Sequence, residues 1–127
     1  MKKERLKVNR PRNTKKGGMM EFFFYKEKNK YVGVCLTFDI IEEGEDINNL
    51  KESVKEAAIL HLKVVQDKKL SDELLNRHAP IKYWKKYFEF LSYLSQKKKE
   101  REEIKRALSP EILNINYPLK INACCPV

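Results

Sequence analysis

The side chains able to do chemistry in this chain are few, and their spacing favours contact over catalysis. Carboxylates crowd into one short stretch: Asp39, Glu42, Glu43, Glu45 and Asp46. A metal-dependent nuclease centre needs carboxylates converging on the metal from several elements. Here only Glu21 stands at the start of a strand, and the rest share one segment, where they repel each other and face water. Asp39, Glu42, Glu43 and Glu45 therefore read as a solvated acidic loop, with docking of a basic partner by complementary charge as its functional use. His61 falls in mid-helix on an apolar stripe. His78 falls in a connector, with no serine or cysteine at a spacing that signals a nucleophile–base pair.

The three cysteines are Cys35, Cys124 and Cys125. An odd count with one adjacent pair is no disulfide framework, and neither histidine stands at a metal-ligand spacing from them. Inert thiols in a reducing compartment are the expectation. Cys124 lies four from the end, as in a prenylation signal, but Pro126 argues against that use. The residues thus point to a non-enzyme with no catalytic residue, no cofactor and no metal.

Charge is distributed unevenly. Of the net +9, residues 1–18 carry +7: Lys2, Lys3, Arg5, Lys7, Arg10, Arg12, Lys15 and Lys16 stand against Glu4 alone, leaving +2 for the other 109 residues. With few apolar side chains, residues 1–18 are expected to be a disordered basic arm. Its eight cations suit phosphate contact with DNA or RNA, with little reading of sequence. Met19 and Met20 offer a second place for translation to start. No apolar run approaches the roughly 18 residues that span a bilayer, and the first 18 residues lack the apolar core of a secretory signal. The chain is expected to be soluble and cytoplasmic.

These groups must be positioned by the elements that follow. Residues 20–25, Met-Glu-Phe-Phe-Phe-Tyr, fit a strand, with Met20, Phe22 and Phe24 on one face and Glu21, Phe23 and Tyr25 on the other. A polar hairpin loop over residues 26–30 follows, with Asn29 suited to a left-handed backbone. The return strand, residues 31–38, places Val32, Val34, Leu36 and Phe38 on one side, which is expected to meet the core against the helical segment running from Ile47. A short third strand fits Ile40–Glu42, and Gly44 suits a sharp turn. Asp46 is a good N-cap for a helix from Ile47 to about Gln66, with Leu50, Val54, Ala57, Ala58 and His61 at helical spacing. Residues 67–82 read as a connector with a short turn at Ser71–Leu75. From Ile81 to about Leu108 the pattern is helical again. Trp84, Tyr87, Phe88, Leu91 and Leu94 form a stripe for packing or dimerisation, with base stacking beside Lys82, Lys85 and Lys86 as the other reading. The tail from Asn114 to Val127 alternates in places, which fits either one added edge strand or a disordered end.

The block Phe22–Val65 resembles the HicB-like antitoxin domain. The resemblance rests on the aromatic strand Phe22-Phe23-Phe24-Tyr25, the polar hairpin, the Tyr31-Val32-Gly33-Val34-Cys35 strand, the Gly44-Glu45-Asp46 turn and the helix beginning Ile47-Asn48-Asn49-Leu50. It departs from the family where Phe38-Asp39-Ile40-Ile41 stands in place of a Leu-Pro-Gly-type turn, and no helix-turn-helix or ribbon-helix-helix pattern follows. The resemblance implies a truncated ribonuclease-H-like fold, self-association into a homo-oligomer, and capture of a small basic HicA-type ribonuclease toxin. The expected architecture is α+β: a small antiparallel sheet of two to four strands packed on one main helix, followed by a long amphipathic C-terminal helix. Residues 1–18 form the arm, 19–78 the HicB-like ββ(β)α domain, and 79–127 the helical extension and tail. The expected function is an antitoxin-like protein-binding module that neutralises the toxin by occlusion. The alternative is a nucleic-acid-binding protein using the basic arm and the lysine-rich C-terminal helix.

Overall fold

Residues 20–25 are apolar or aromatic at both parities except for Glu21, and a strand of that composition has no face to give to water. The computed structural model of the protein, which describes residues 12–94 and 110–117, buries both faces. Strand β1 (Gly18–Glu27) pairs with β2 (Lys30–Cys35), β2 pairs with β3 (Ile40–Gly44), and β4 (Glu111–Tyr117) joins the free side of β1. The sheet is antiparallel throughout, in the order β3-β2-β1-β4. Helix α1 (Ile47–Asp67) covers one face and helix α2 (Ile81–Leu94) the other, with a 3₁₀ turn at Asp72–Leu75 between them.

The α+β class and the small antiparallel sheet are as the sequence leads one to expect, and so are the hairpin, α1 and its cap. The Asp46 carboxylate accepts from the N–H groups of Asn48 and Asn49 at 2.9 and 3.1 Å, which satisfies two donors of the first turn. The hairpin turns over Lys28-Asn29, but the positive φ (58°) belongs to Lys28 and not to Asn29. Gly44 has no positive φ; the left-handed residue after β2 is Asp39, at φ 59°.

Two expectations are corrected. The face carrying Val32, Val34 and Leu36 does not lie on α1. It packs under α2 with Phe23, Tyr25, Trp84, Tyr87 and Phe90. Helix α1 instead sits on Met20, Phe22, Phe24 and Cys35, through Leu50, Val54, Ala58, Leu62 and Val65. Phe38, beyond the end of β2, goes with the α1 side. The reason is local. Gly33 leaves a gap on its face, and that gap admits the Phe24 ring and the Val54 methyl group, so the helix settles on the glycine side of β2. The second correction concerns the long C-terminal helix, which is not borne out: the described helix ends at Leu94, and residues 95–109 lie outside the described residues.

The boundary at residue 78 does not separate two bodies. Both α2 and β4 complete the sheet's layers, because the aromatic α2-side face of β1 needs a cover of its own. Residues 12–17, assigned by composition to the arm, are held against the body. Asn13 is buried. Its amide nitrogen donates to the carbonyls of Leu75 (3.0 Å) and Met19 (3.1 Å), its Oδ1 accepts from Met19 N–H (2.9 Å), and its backbone N–H donates to Asn76 Oδ1 (2.8 Å). Lys15 Nζ pairs with Asp72 at 2.7 Å, and Tyr117 Oη donates to Thr14 C=O at 2.7 Å. This strap fastens the start of β1 to the end of α1 and to β4.

Candidate functional site

The four acids nominated for partner contact do not form one patch. Glu42 lies on the α1 side of β3, where its Oε1 accepts from Ser53 Oγ at 2.6 Å. Glu43 points to the other side and pairs with Lys30 at 2.6 Å, which holds the Lys30 ammonium above its usual range. Asp39 occupies the preceding turn, and Glu45 follows the strand; both are exposed. Strand alternation, which the loop reading ignored, divides them.

The backbone of β3 adds a feature that side chains alone did not reveal. Leu36 N–H donates to Glu21 C=O at 2.7 Å, so in this ladder the backbone groups of Glu21, Phe23 and Tyr25 face β2. By the same alternation Tyr31, Gly33 and Cys35 bond to Gly44, Glu42 and Ile40. The N–H and C=O groups of Ile41 and Glu43 therefore point away from the sheet, and no strand of the described residues lies beyond β3. Ile41 itself is 38% exposed. The result is an open edge with one apolar side chain between carboxylates.

The stripe on α2 is packing. Trp84 and Tyr87 are buried, and their rings meet edge-on with centroids 5.8 Å apart; Phe23 stands 5.7 Å from Tyr87. Phe88 and Leu91 are half-buried beside them, and the side chain of Leu94 lies outside the described residues. Phe90, absent from the expected stripe, is buried too and faces Phe23 at 6.3 Å. Bases cannot stack on rings already enclosed. Of the neighbouring cations, Lys82 and Lys85 are exposed, and Lys86 lies 5.3 Å over the Tyr25 ring.

Of the arm's eight cations, Arg12, Lys15 and Lys16 are described. Lys15 is committed to Asp72, whereas Arg12 and Lys16 are exposed. Lys2, Lys3, Arg5, Lys7 and Arg10 lie outside the described residues.

Glu21 is the residue that sequence reasoning undervalued. It is 2% exposed on the α2 side of β1, and Tyr87 Oη donates to its Oε2 at 3.2 Å. A cavity of about 300 Å³ opens beside it, lined by Arg12, Asn13, Thr37, Asn76, His78 and Asn116 among others. A lone acid inside an otherwise aromatic strand was the available signal, since a carboxylate so placed must meet a polar group. Its bond to Tyr87 ties α2 to β1. His78 contributes its ring to packing against Trp84 at 5.4 Å. His61 is a satisfied helix residue: its Nε2 lies 2.6 Å from Leu74 C=O, and its ring stands 5.0 Å from Phe38. Among the described residues no group of three histidines, cysteines or carboxylates could hold a metal ion, and no helix is long and apolar enough to cross a membrane. Cys124 and Cys125 lie outside the described residues.

Cys35 is buried, and burial pushes its thiol up to about 11 from the usual 9.0; burial likewise raises the Tyr117 phenol to about 12 from 10.0. Both groups are neutral in the native state. In the unfolded chain they ionise at their usual pH, so above about pH 9 the unfolded state binds fewer protons and stability falls as pH rises. Their contribution is complete below pH 9 and is lost through pH 9–12; the Cys35 offset alone is on the order of 2–3 kcal/mol. Urea melts between about pH 8 and pH 11 will show a falling midpoint. A constant midpoint would contradict this account.

Compared with family models, curated proteins and solved structures, the chain has no match. Among the described residues, fold and site define a four-stranded antiparallel sheet with a helix on each face and an acidic β3 edge.

Proposed function

We propose that the chain is an antitoxin-like protein-binding module that neutralises a small, basic ribonuclease toxin of the HicA type by occlusion, and that the β3 edge receives the toxin. One observation carries this reading: Ile41 and Glu43 turn their backbone donors and acceptors outward, beside the carboxylates of Asp39, Glu43 and Glu45. An extended segment can add to such an edge by main-chain hydrogen bonds, with alternate side chains setting specificity. Acids there favour a basic segment and raise its rate of encounter. A toxin that cleaves RNA needs a basic surface, and covering that surface removes its access to phosphate. The buried Glu21, Trp84 and Tyr87 have structural roles in this reading, consistent with a chain that grips and does not react.

The test is RNA cleavage by a purified HicA-type toxin titrated with the chain. Inhibition saturating near one chain per toxin is expected. Reversing charge at Glu43 and Glu45 to lysine should weaken inhibition by about tenfold, since each exposed ion pair contributes up to roughly 1 kcal/mol and each new like-charge contact opposes binding. The melting temperature should fall by only a few degrees, since Glu43 also loses its exposed pair with Lys30. Undiminished cleavage at saturating chain would remove the proposal.

The second reading, nucleic-acid binding, retains the exposed Lys82 and Lys85 of α2 with Arg12 and Lys16. Retention on heparin that survives deletion of residues 1–11 would favour it.

A further inference from the structure

The other edge of the sheet differs in kind. In the β1–β4 ladder, Phe24, Phe22, Met20 and Gly18 oppose Glu111, Leu113, Ile115 and Tyr117. Because Glu21 C=O faces β2, the backbone groups of even-numbered β1 residues face β4. Ile112, Asn114 and Asn116 therefore direct their N–H and C=O groups away from β1, and no strand of the described residues lies beyond them. From Ile112 to Tyr117 this edge has no charged residue. Leu113 and Ile115 pack on the α1-side core and Ile112 on the α2-side core, yet all three are only half-buried by their own chain. A neutral, half-covered edge with its hydrogen-bonding groups outward is a template for another strand.

We propose that β4 is a homodimer interface: two copies pair their β4 strands antiparallel about a two-fold axis at Asn114, making one continuous eight-stranded sheet. Self-complementarity selects this occupant. An axis at Asn114 sets Asn114 opposite Asn114 of the second copy, and Ile112 opposite Asn116. These are the residues with outward backbone groups, so each opposed pair exchanges both its bonds. The same axis sets Leu113 opposite Ile115 on the α1 side, in the non-hydrogen-bonded positions where side chains approach most closely. The row of Leu113, Ile115 and Tyr117 thereby continues across the axis and covers the apolar surface that one copy leaves half-exposed.

The β3 edge cannot pair in this way. An axis at Glu43 opposes Glu43 to itself, and an axis at Ile41 opposes Glu43 to Asp39; both put like charges together, a device that keeps strand edges apart. The two edges therefore divide their tasks: β4 takes a second copy, and β3 is left for a different partner. An isologous contact at β4 closes at two chains, whereas β3 pairing with β4 of the next copy would grow without limit. The dimer does not depend on the toxin-binding reading, and its test does not involve a toxin.

Sedimentation velocity on the full chain, over a range of concentrations, is the test. The expected mass is twice the 15.1 kDa chain. Asn114→Pro removes an outward N–H while sparing the β1 ladder and should raise the dimer Kd by about tenfold or more. Asn114→Lys and Asn114→Glu each set like charges across the axis and should raise it by about fivefold, whereas an equal mixture of the two should regain a dimer containing one of each. Asn114 is exposed, so the thermal melt of the lysine variant should match the parent, separating lost pairing from lost folding; the glutamate variant, opposite Glu21 in the β1–β4 register, is compared with the parent below its own melting temperature. A parent that stays monomeric at all concentrations, charged variants that dimerise like the parent, a mixture no better than its parts, or a mass that climbs without closing at two chains would each overturn the proposal.

Discussion

Replacing Trp84 by alanine lowers the unfolding free energy by about 3–5 kcal/mol, the range for removing a large buried aromatic. A domain of this size is typically stable by roughly 5–15 kcal/mol, so the variant will sit near the edge of folding. Trp84 has no exposed surface, and its ring meets Tyr87, Phe88 and His78 at centroid distances of 5.4–5.8 Å. Those neighbours cannot all close over the gap. Tyr87 is held by Glu21 on β1, so much of the cavity persists and its cost adds to the lost transfer energy. The loss also reaches Glu21. Once α2 loosens, the Tyr87 hydroxyl no longer holds the carboxylate, and a buried acid loses a donor. Urea denaturation followed by far-UV circular dichroism measures the effect. A loss below about 1 kcal/mol would mean that α2 is not part of the core.

Gly33→Val is the second large effect. A Cβ at Gly33 would lie 2.9 Å from two ring atoms of Phe24 and 3.0 Å from a Val54 methyl. Both neighbours are fully buried and neither is the loose end of a flexible chain. Overpacking a core commonly costs about 1–3 kcal/mol; valine adds two methyls beyond the clashing Cβ, so a loss of about 3 kcal/mol or more is expected. The stress falls where α1 meets β2, and α1 must shift away from the sheet to relieve it. Gly44→Ala is the internal comparison. Its Cβ would meet only Leu50, at 3.8 Å, and its φ is not positive, so stability should hold or rise by about 0.5 kcal/mol through reduced freedom of the unfolded chain. Equal losses at the two glycines would show that close packing at Gly33 is not the cause.

Much of the local structure was legible because it depends on neighbours in sequence. The aromatic strand, the polar hairpin, the Asp46 cap and the spacing of Leu50, Val54 and Ala58 each declare an element within a few residues, although the loop expected over residues 26–30 closes to Lys28-Asn29. The tail strand was legible as a possibility, and Glu111–Tyr117 realises it against β1. The α2 stripe was nearly right: Trp84 and Tyr87 are buried as packing residues, while Phe90 replaces Phe88 as the third deep contact. The candidate site was less legible. Asp39, Glu42, Glu43 and Glu45 are adjacent in sequence but fall on different sides of β3, and the outward backbone of Ile41 and Glu43 follows from ladder register, which no composition records.

By itself the amino-acid sequence determined which segments become strands and helices, because propensity, capping and hydrophobic period act over a few residues. Tertiary structure alone decided which face of β2 receives which helix, that Asn13 is buried under the 3₁₀ turn, and that β4 takes the outer place beside β1. The physical reason is that both faces of this sheet are apolar. Alternation can separate an apolar face from a polar one, but it cannot rank two apolar faces. That choice was made by shape, through the space left at Gly33 and the rings that fill it from the Phe24 side.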